Sequence, residues 1–178
     1  MRQLKLHSLV VFSTAFAFAP SCVLAGTDLS IGLGTSSGST TLKAQGSTLR
    51  LRDVTTFQQS IDASLPMGDA GPLSVDGFAS ISHASGSTHH ATLNGASEGA
   101  SADFDRLEAF ANMKVSYRVL PITPYVGLGI GAVRDKVSVA NADYKSDYFA
   151  GKAFVGAEWR SKSGFGIDVR ASRLSRIN

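Results

Sequence analysis

Residues 104–119 alternate between polar and apolar over most of their length: Phe104-Asp105-Arg106-Leu107-Glu108-Ala109-Phe110-Ala111-Asn112-Met113-Lys114-Val115-Ser116-Tyr117-Arg118-Val119. One set holds Leu107, Ala109, Ala111, Met113, Val115, Tyr117 and Val119. The other holds Arg106, Glu108, Asn112, Lys114, Ser116 and Arg118. A period of two places the sets on opposite faces of a β-strand, whereas the 3.6-residue helical period would mix them. A strand this long with two unlike faces lies between two unlike media, and that restricts the chain to sheet architectures.

The N-terminus reads as an export signal. Arg2, Lys5 and His7 give a basic start, Leu9 to Ala19 an apolar run, and Val23-Leu24-Ala25 a small-residue end, which predicts cleavage before Gly26. The run is about half of what a membrane-spanning helix needs. Lipidation at Cys22 is the alternative, but Ala19-Pro20-Ser21 is a poor lipidation sequence. Two segments follow: 1–25 as a cleaved signal and 26–178 as one domain, free of cysteine and so of disulfide and thiol chemistry. Loss of Arg2 and Lys5 takes the formal charge from +3 to +1, and no basic cluster with interleaved aromatics follows, so nucleic acid is not an expected partner. Past the signal no apolar stretch reaches about 18 residues, so insertion into a membrane would be by strands.

Strands are expected near 28–44, 48–66, 72–84, 103–120, 123–139, 145–160 and 164–174. Pro66-Met67-Gly68-Asp69-Ala70-Gly71-Pro72, Leu120-Pro121-Ile122-Thr123 and Ser161-Lys162-Ser163-Gly164 supply tight turns, because proline fixes φ and glycine permits positive φ. The alternate connections, around Gln45-Gly46, Ala84 to Ala102 and Asn141-Ala142-Asp143, are polar, and 85–102 lacks apolar periodicity and reads as a mobile loop. Short turns at one end and polar loops at the other are the pattern of outer-membrane barrels.

The same alternation recurs along the chain. Its polar face collects Asp62, Asp76, Glu108, Glu158 and Asp168 against Arg106, Lys114, Arg118, Lys152, Arg160 and Arg170. A soluble sandwich would bury the apolar face and wet the charged one. Two observations favour the inverse. Tyr117, Tyr125, Trp159 and Phe165 lie near the tight turns, where an aromatic girdle would meet lipid headgroups, and the apolar face is rich in Ala and Gly, which fill a soluble core poorly but can contact lipid. The charges are then expected inside, as a compensating network, and the apolar face outside.

Pro124-Tyr125-Val126-Gly127-Leu128-Gly129-Ile130-Gly131-Ala132, after the Leu120-Pro121 turn, resembles a strand of the opacity-protein and outer-membrane-protein-A-like family of small β-barrels. Ala150-Gly151-Lys152-Ala153-Phe154-Val155-Gly156-Ala157-Glu158-Trp159-Arg160 and Gly164-Phe165-Gly166-Ile167-Asp168-Val169-Arg170 resemble the next two strands. The resemblance implies an all-β antiparallel transmembrane barrel of the eight-stranded type in a Gram-negative outer membrane. It also implies outer-membrane lipid, lipopolysaccharide and the barrel-assembly machinery as partners. Family members usually end on an aromatic residue, whereas this chain ends Ser175-Arg176-Ile177-Asn178. With seven readable strands, the expectation is an eight-stranded type whose last strand is missing.

Other motifs yield little chemistry. Gly127, Gly129 and Gly131 lack the dinucleotide spacing and a following helix, and read instead as inward positions that leave room for long Arg and Lys side chains. Adjacent histidines His89 and His90 would point opposite ways, and with His83 they lack partners at metal-site spacing. Ser82 and His83 would likewise face opposite sides of a strand, out of the reach a nucleophile and base require. Neither a cofactor nor an enzyme is expected. The expected role is structural, or surface interaction and adhesion to a host or cell-surface ligand through the loops. A small pore is the first alternative and a lipid A-modifying enzyme the second.

Overall fold

The computed structural model describes residues 5–6, 9–18, 28–44, 47–88, 90–93, 96–98, 101–118, 121–139, 142–161 and 165–177. Eight strands close into an antiparallel ring: β1 (Leu9–Phe18), β2 (Asp28–Ala44), β3 (Ser47–Ala70), β4 (Leu73–Thr88), β5 (Ala102–Tyr117), β6 (Ile122–Val139), β7 (Ala142–Arg160) and β8 (Phe165–Arg176). Each strand pairs with the next in sequence, and β8 pairs back onto β1 from Phe165↔Phe18 to Leu174↔Leu9. The fold is an all-β antiparallel barrel of the transmembrane type. All seven strands read from the sequence are present, and the eighth position, expected to be empty, is taken by Leu9–Phe18 out of the segment read as an export signal.

One end of the ring carries the Gly71-Pro72 turn and the connections at 118–121 and 161–164. The other carries the connections at 45–46, 88–102 and 140–141, together with the start of β1 and the end of β8. Two expectations are corrected at these ends. The turn expected over Pro66–Pro72 is smaller, because β3 runs through Pro66 to Ala70 and the register shifts between Pro66 and Gly68, a bulge that carries the ladder past a residue with no N–H to give. The turn itself is Gly71-Pro72, with Gly71 at φ +60°, the positive value a hairpin turn takes at its first central position. Residues 85–102 are not one loop. Ser85–Thr88 continue β4 opposite Ala102–Asp105 of β5, while His90–Leu93 and Ala96–Glu98 form a small hairpin laid on Leu49–Arg52 of β3. Backbone ladders need no apolar periodicity, which is why a Ser/Gly/Thr stretch can extend a strand.

Parity fixes the two faces. In β5 inward and outward residues alternate along nearly the whole strand, Phe104, Arg106, Glu108, Phe110 and Asn112 buried against Leu107, Ala109, Ala111 and Met113 exposed. In β6, Val126, Leu128, Ile130 and Ala132 face out, and in β7 Phe149, Ala153, Val155 and Trp159 do so. Leu128 is 65% and Phe149 67% exposed, values that water would penalise and hydrocarbon would not. The outward apolar runs Leu107–Tyr117, Ile122–Ala132 and Phe149–Trp159 each span ten residue steps. At about 3.3 Å per residue and a tilt of about 40°, that is a band roughly 25 Å tall, the height of a transmembrane barrel's apolar belt.

Ala111 sits midway along the β5 run. Ala111→Arg should therefore cost about 2–4 kcal/mol of stability in vesicles while Ala111→Leu costs little, measured by equilibrium unfolding. Spin labels at 109, 111 and 113 that report water instead of lipid would contradict the orientation.

Candidate functional site in the barrel interior

The inward residues of β5–β8 are large or charged, and they form a ladder of ion pairs. Arg106 donates two hydrogen bonds to Asp135, at 2.6 and 2.9 Å, and lies 3.7 Å from Glu108. The Tyr148 hydroxyl donates to the same Asp135 at 3.0 Å. Toward the turn end, Lys152 reaches Glu108 at 2.9 Å, and Lys114 reaches Glu158 at 3.1 Å with Arg160 at 3.7 Å from the same carboxylate. Arg170 meets Asp168 at 2.7 Å and the Tyr125 hydroxyl at 3.0 Å, and Tyr125 in turn donates to Asp168. At the turn end Arg118 bridges Asp76 at 3.4 Å and Asp69 at 3.7 Å. Buried charges are tolerated when paired and hydrogen-bonded in this way.

Aromatic rings fill the space between the pairs. Phe154 packs edge-on against both Phe78 and Tyr125, and Phe110, Val133, Tyr148, Ala150 and Leu174 form a second cluster. The cations lie against ring faces: Arg106 4.9 Å from Phe104, Lys152 4.9 Å from Phe110, Lys114 5.3 Å from Tyr125 and Arg170 5.3 Å from Phe154. Such contacts contribute about 0.5–2 kcal/mol each, depending on desolvation.

The geometry of β6 permits these contacts. Gly127 lies opposite Lys114 and Phe154, and Gly129 opposite Asn112 and Lys152. A Cβ at Gly127 would overlap the Phe154 ring, and one at Gly131 the Ala109 carbonyl oxygen. With side chains absent from β6 at these levels, β5 and β7 reach each other across it, as Lys114–Glu158 and Glu108–Lys152 do.

The opposite wall is lined by small and hydroxylic residues. Ser30, Gly32 and Gly34 of β2, Ser60 and Ser64 of β3 and Ser80 and Ser82 of β4 bound a cavity of about 110 Å³, with Asp62 and Gln58 on their side and Lys114, Lys152, Glu158, Arg160, Asp168 and Arg170 across it. Asn112 donates to Ser80 at 2.9 Å at its edge.

All eleven charged residues singled out in the sequence lie on inward-facing parity positions, but not equally deep. Arg106, Glu108 and Asp76 are buried, Asp62, Lys114, Lys152, Glu158, Asp168 and Arg170 are half-buried, and Arg118 and Arg160 are exposed at the turn end. Sequence reasoning missed Asp135, only 2% exposed and the closest partner of Arg106. It lies within the charge run Arg134-Asp135-Lys136, and counting parity from Gly131 would have placed it inside. With it, the five acids become six against the six bases named above, and Arg176, in phase with Leu174 and 5.5 Å from the Tyr148 ring, is a further inward base. The girdle needs one correction: Tyr125 is 3% exposed and inside the barrel, because it shares parity with Gly127, Gly129 and Gly131. Tyr117 and Trp159 are outward, at 42% and 38% exposed, whereas the Phe165 side chain lies outside the described residues. Ser82 faces in and His83 faces out, where it meets Asp105 at 2.8 Å. The His89 position lies outside the described residues.

Beyond the belt toward the other end, Arg134–Asp147 at 2.8 Å and Lys136–Asp143 at 3.3 Å pair on the outer surface. The hydrogen bond from Arg134 holds the Asp147 carboxyl below the ordinary carboxylate range, and those from Ser138 and Lys136 do the same for Asp143.

No protein-family model and no curated protein matches the chain. Among solved structures it is similar to the crystal structure of the outer membrane protease OmpT from Escherichia coli, at 10% identity over 98% of this chain and 94% of that one, with a TM-score of 0.37.

Two substitutions separate this network from the surface pairs. Asp135→Ala leaves Arg106 and Tyr148 without their acceptor and should cost about 3–5 kcal/mol, much more than Asp147→Ala, and the double variant Arg106→Met with Asp135→Leu should recover most of the loss in denaturant titrations. Gly131→Ala should lower the unfolding midpoint while Gly151→Ala, whose nearest neighbour is the Ser175 carbonyl at 3.9 Å, leaves it in place.

Proposed function

We propose that the protein is a small outer-membrane β-barrel of the opacity-protein and outer-membrane-protein-A-like kind, with a structural and surface-interaction role. The observation that supports this reading is the inverted polarity of the closed ring: apolar side chains out over a band roughly 25 Å tall, paired charges in. The aqueous ends are equally suited to it. Tyr117 and Trp159 stand at the turn end in the headgroup region, and the sheet continues past the belt at the other end as the 90–98 hairpin and the distal parts of β2 and β3. Lipopolysaccharide and outer-membrane lipid are the expected surroundings, the barrel-assembly machinery the route of insertion, and a host or cell-surface molecule the ligand of the projecting end.

The Ser- and Gly-lined cavity favours a second reading, a small pore. Ion pairs and rings occupy the rest of the lumen, so any passage is narrow, suited to water and small ions.

Fractionation followed by protease treatment of intact cells tests the first reading. The protein should be found in the outer membrane and be cut within 89–100 from outside. Recovery in the periplasm, or cleavage at 71–72 in place of 89–100, would contradict it. Steps of conductance in planar bilayers that change when Asp62→Asn is introduced would favour the pore.

A further inference from the structure

The wall has one position whose occupant comes from the segment that sequence reading assigns to export. β2 and β8 both run from the turn end to the opposite end, so they cannot pair antiparallel with each other, and one strand of opposite direction must lie between them. β1 lies there. It makes nine registered pairs with β2, from Val10↔Ser39 to Phe18↔Ile31, and ten with β8. Its ten residues match the 9–11 that a tilted strand needs to cross hydrocarbon, while they are too few for a spanning helix.

The sequence of β1 suits the position as well. Phe12, Phe16 and Phe18 occupy register positions opposite Ala171, Ile167 and Phe165, whereas the small residues Ser13, Ala15 and Ala17 lie opposite Arg170, Asp168 and Gly166. On the β2 side Ala15 and Ala17 lie opposite Gly34 and Gly32. From Phe12 to Phe18, Thr14 apart, large and small residue types therefore alternate in phase with the outward and inward positions of β8, whereas Leu9 and Val11 at the start of the strand do not follow the pattern. An export segment selected for hydrophobicity alone has no reason to alternate so.

We infer that the wall position between β2 and β8 is a strand-acceptor site and that Leu9–Phe18 is its occupant, retained as the eighth wall strand once the chain has been exported. This rests on the barrel reading above. In that position the strand pairs the facing backbone edges of β2 and β8, whose groups cost several kcal/mol each when left unpaired in lipid.

The test uses the whole chain with Cys22→Ala, exported in a Gram-negative host and recovered from the outer-membrane fraction. Cysteine pairs Thr14→Cys with Val169→Cys and Thr14→Cys with Thr35→Cys join cross-strand register partners, and Thr14→Cys with Val126→Cys is the off-register control. After oxidation with diamide, the expected result is an intact mass that includes residues 9–18, a cross-link within one chain for both register pairs, and none for the control. Where a cysteine pair impedes export, the intact mass of the unsubstituted chain decides. A mass beginning at Gly26 overturns the inference, whether the chain is then monomeric or dimeric. Heat-modifiable electrophoretic mobility reads the barrel independently: a chain beginning at Gly26 that keeps it would overturn strand retention and leave the barrel reading standing.

Discussion

Backbone hydrogen bonding in a medium without water is the constraint on which the rest of the structure depends. Each peptide group left unpaired in hydrocarbon costs several kcal/mol, so a sheet in lipid must close on itself before any side chain can matter. The ladder meets that demand at its difficult points: a bulge carries β3 past Pro66, the Arg118 N–H reaches the Pro72 carbonyl at 2.8 Å, and the Ile177 N–H reaches the Phe149 carbonyl at 2.9 Å. Closure through β1 extends this to the facing sides of β2 and β8.

Once the ring is closed, parity decides everything else. A one-residue slip of any strand would turn its apolar set inward and its charges into lipid, so the alternation that makes strands also pins their register. Arg106 and Asp135 are direct cross-strand partners, and their two-pronged contact adds a polar lock between β5 and β6 at that register. The two walls of the lumen then divide the filling. β5–β8 contribute rings and ion pairs, while β2–β4 contribute glycine and serine that leave a cavity against them.

How much of this was legible depends on whether a residue's face follows from counting alone. The seven strands and the inward parity of Arg106, Glu108, Lys114, Lys152 and Asp168 follow from period-two polarity, since a charge in a two-faced strand declares its side. Tyr125 shows where residue type misleads: an aromatic near a turn suits a girdle, but its parity, shared with three glycines, places it inside. Asp135 was hidden for the converse reason, because flanking charges on the outer surface, Arg134 and Lys136, mask the alternation at the top of β6. β1 was not legible as a strand, because a run that is apolar throughout carries no polarity contrast, and its large–small alternation acquires meaning only beside Asp168 and Arg170.

The ion pairs also explain why β6 is built from glycine and β-branched or apolar residues in alternation. Arg106–Asp135 joins neighbouring strands, but Glu108–Lys152 and Lys114–Glu158 join β5 to β7, which do not touch through their backbones. Such contacts need the intervening strand to be flat on its inner face, and Gly127, Gly129 and Gly131 make it so without altering the outward Val126, Leu128 and Ile130. Interior glycine weakens a strand by roughly 0.5–1 kcal/mol relative to alanine. Here that cost is offset by the Phe154 ring seated over Gly127 and by salt bridges that brace three strands at once. A strand that is apolar outside and free of inward side chains from Gly127 to Gly131 therefore makes room for the charged interior, and the Gly-X-Gly-X-Gly series has a packing role that needs no nucleotide.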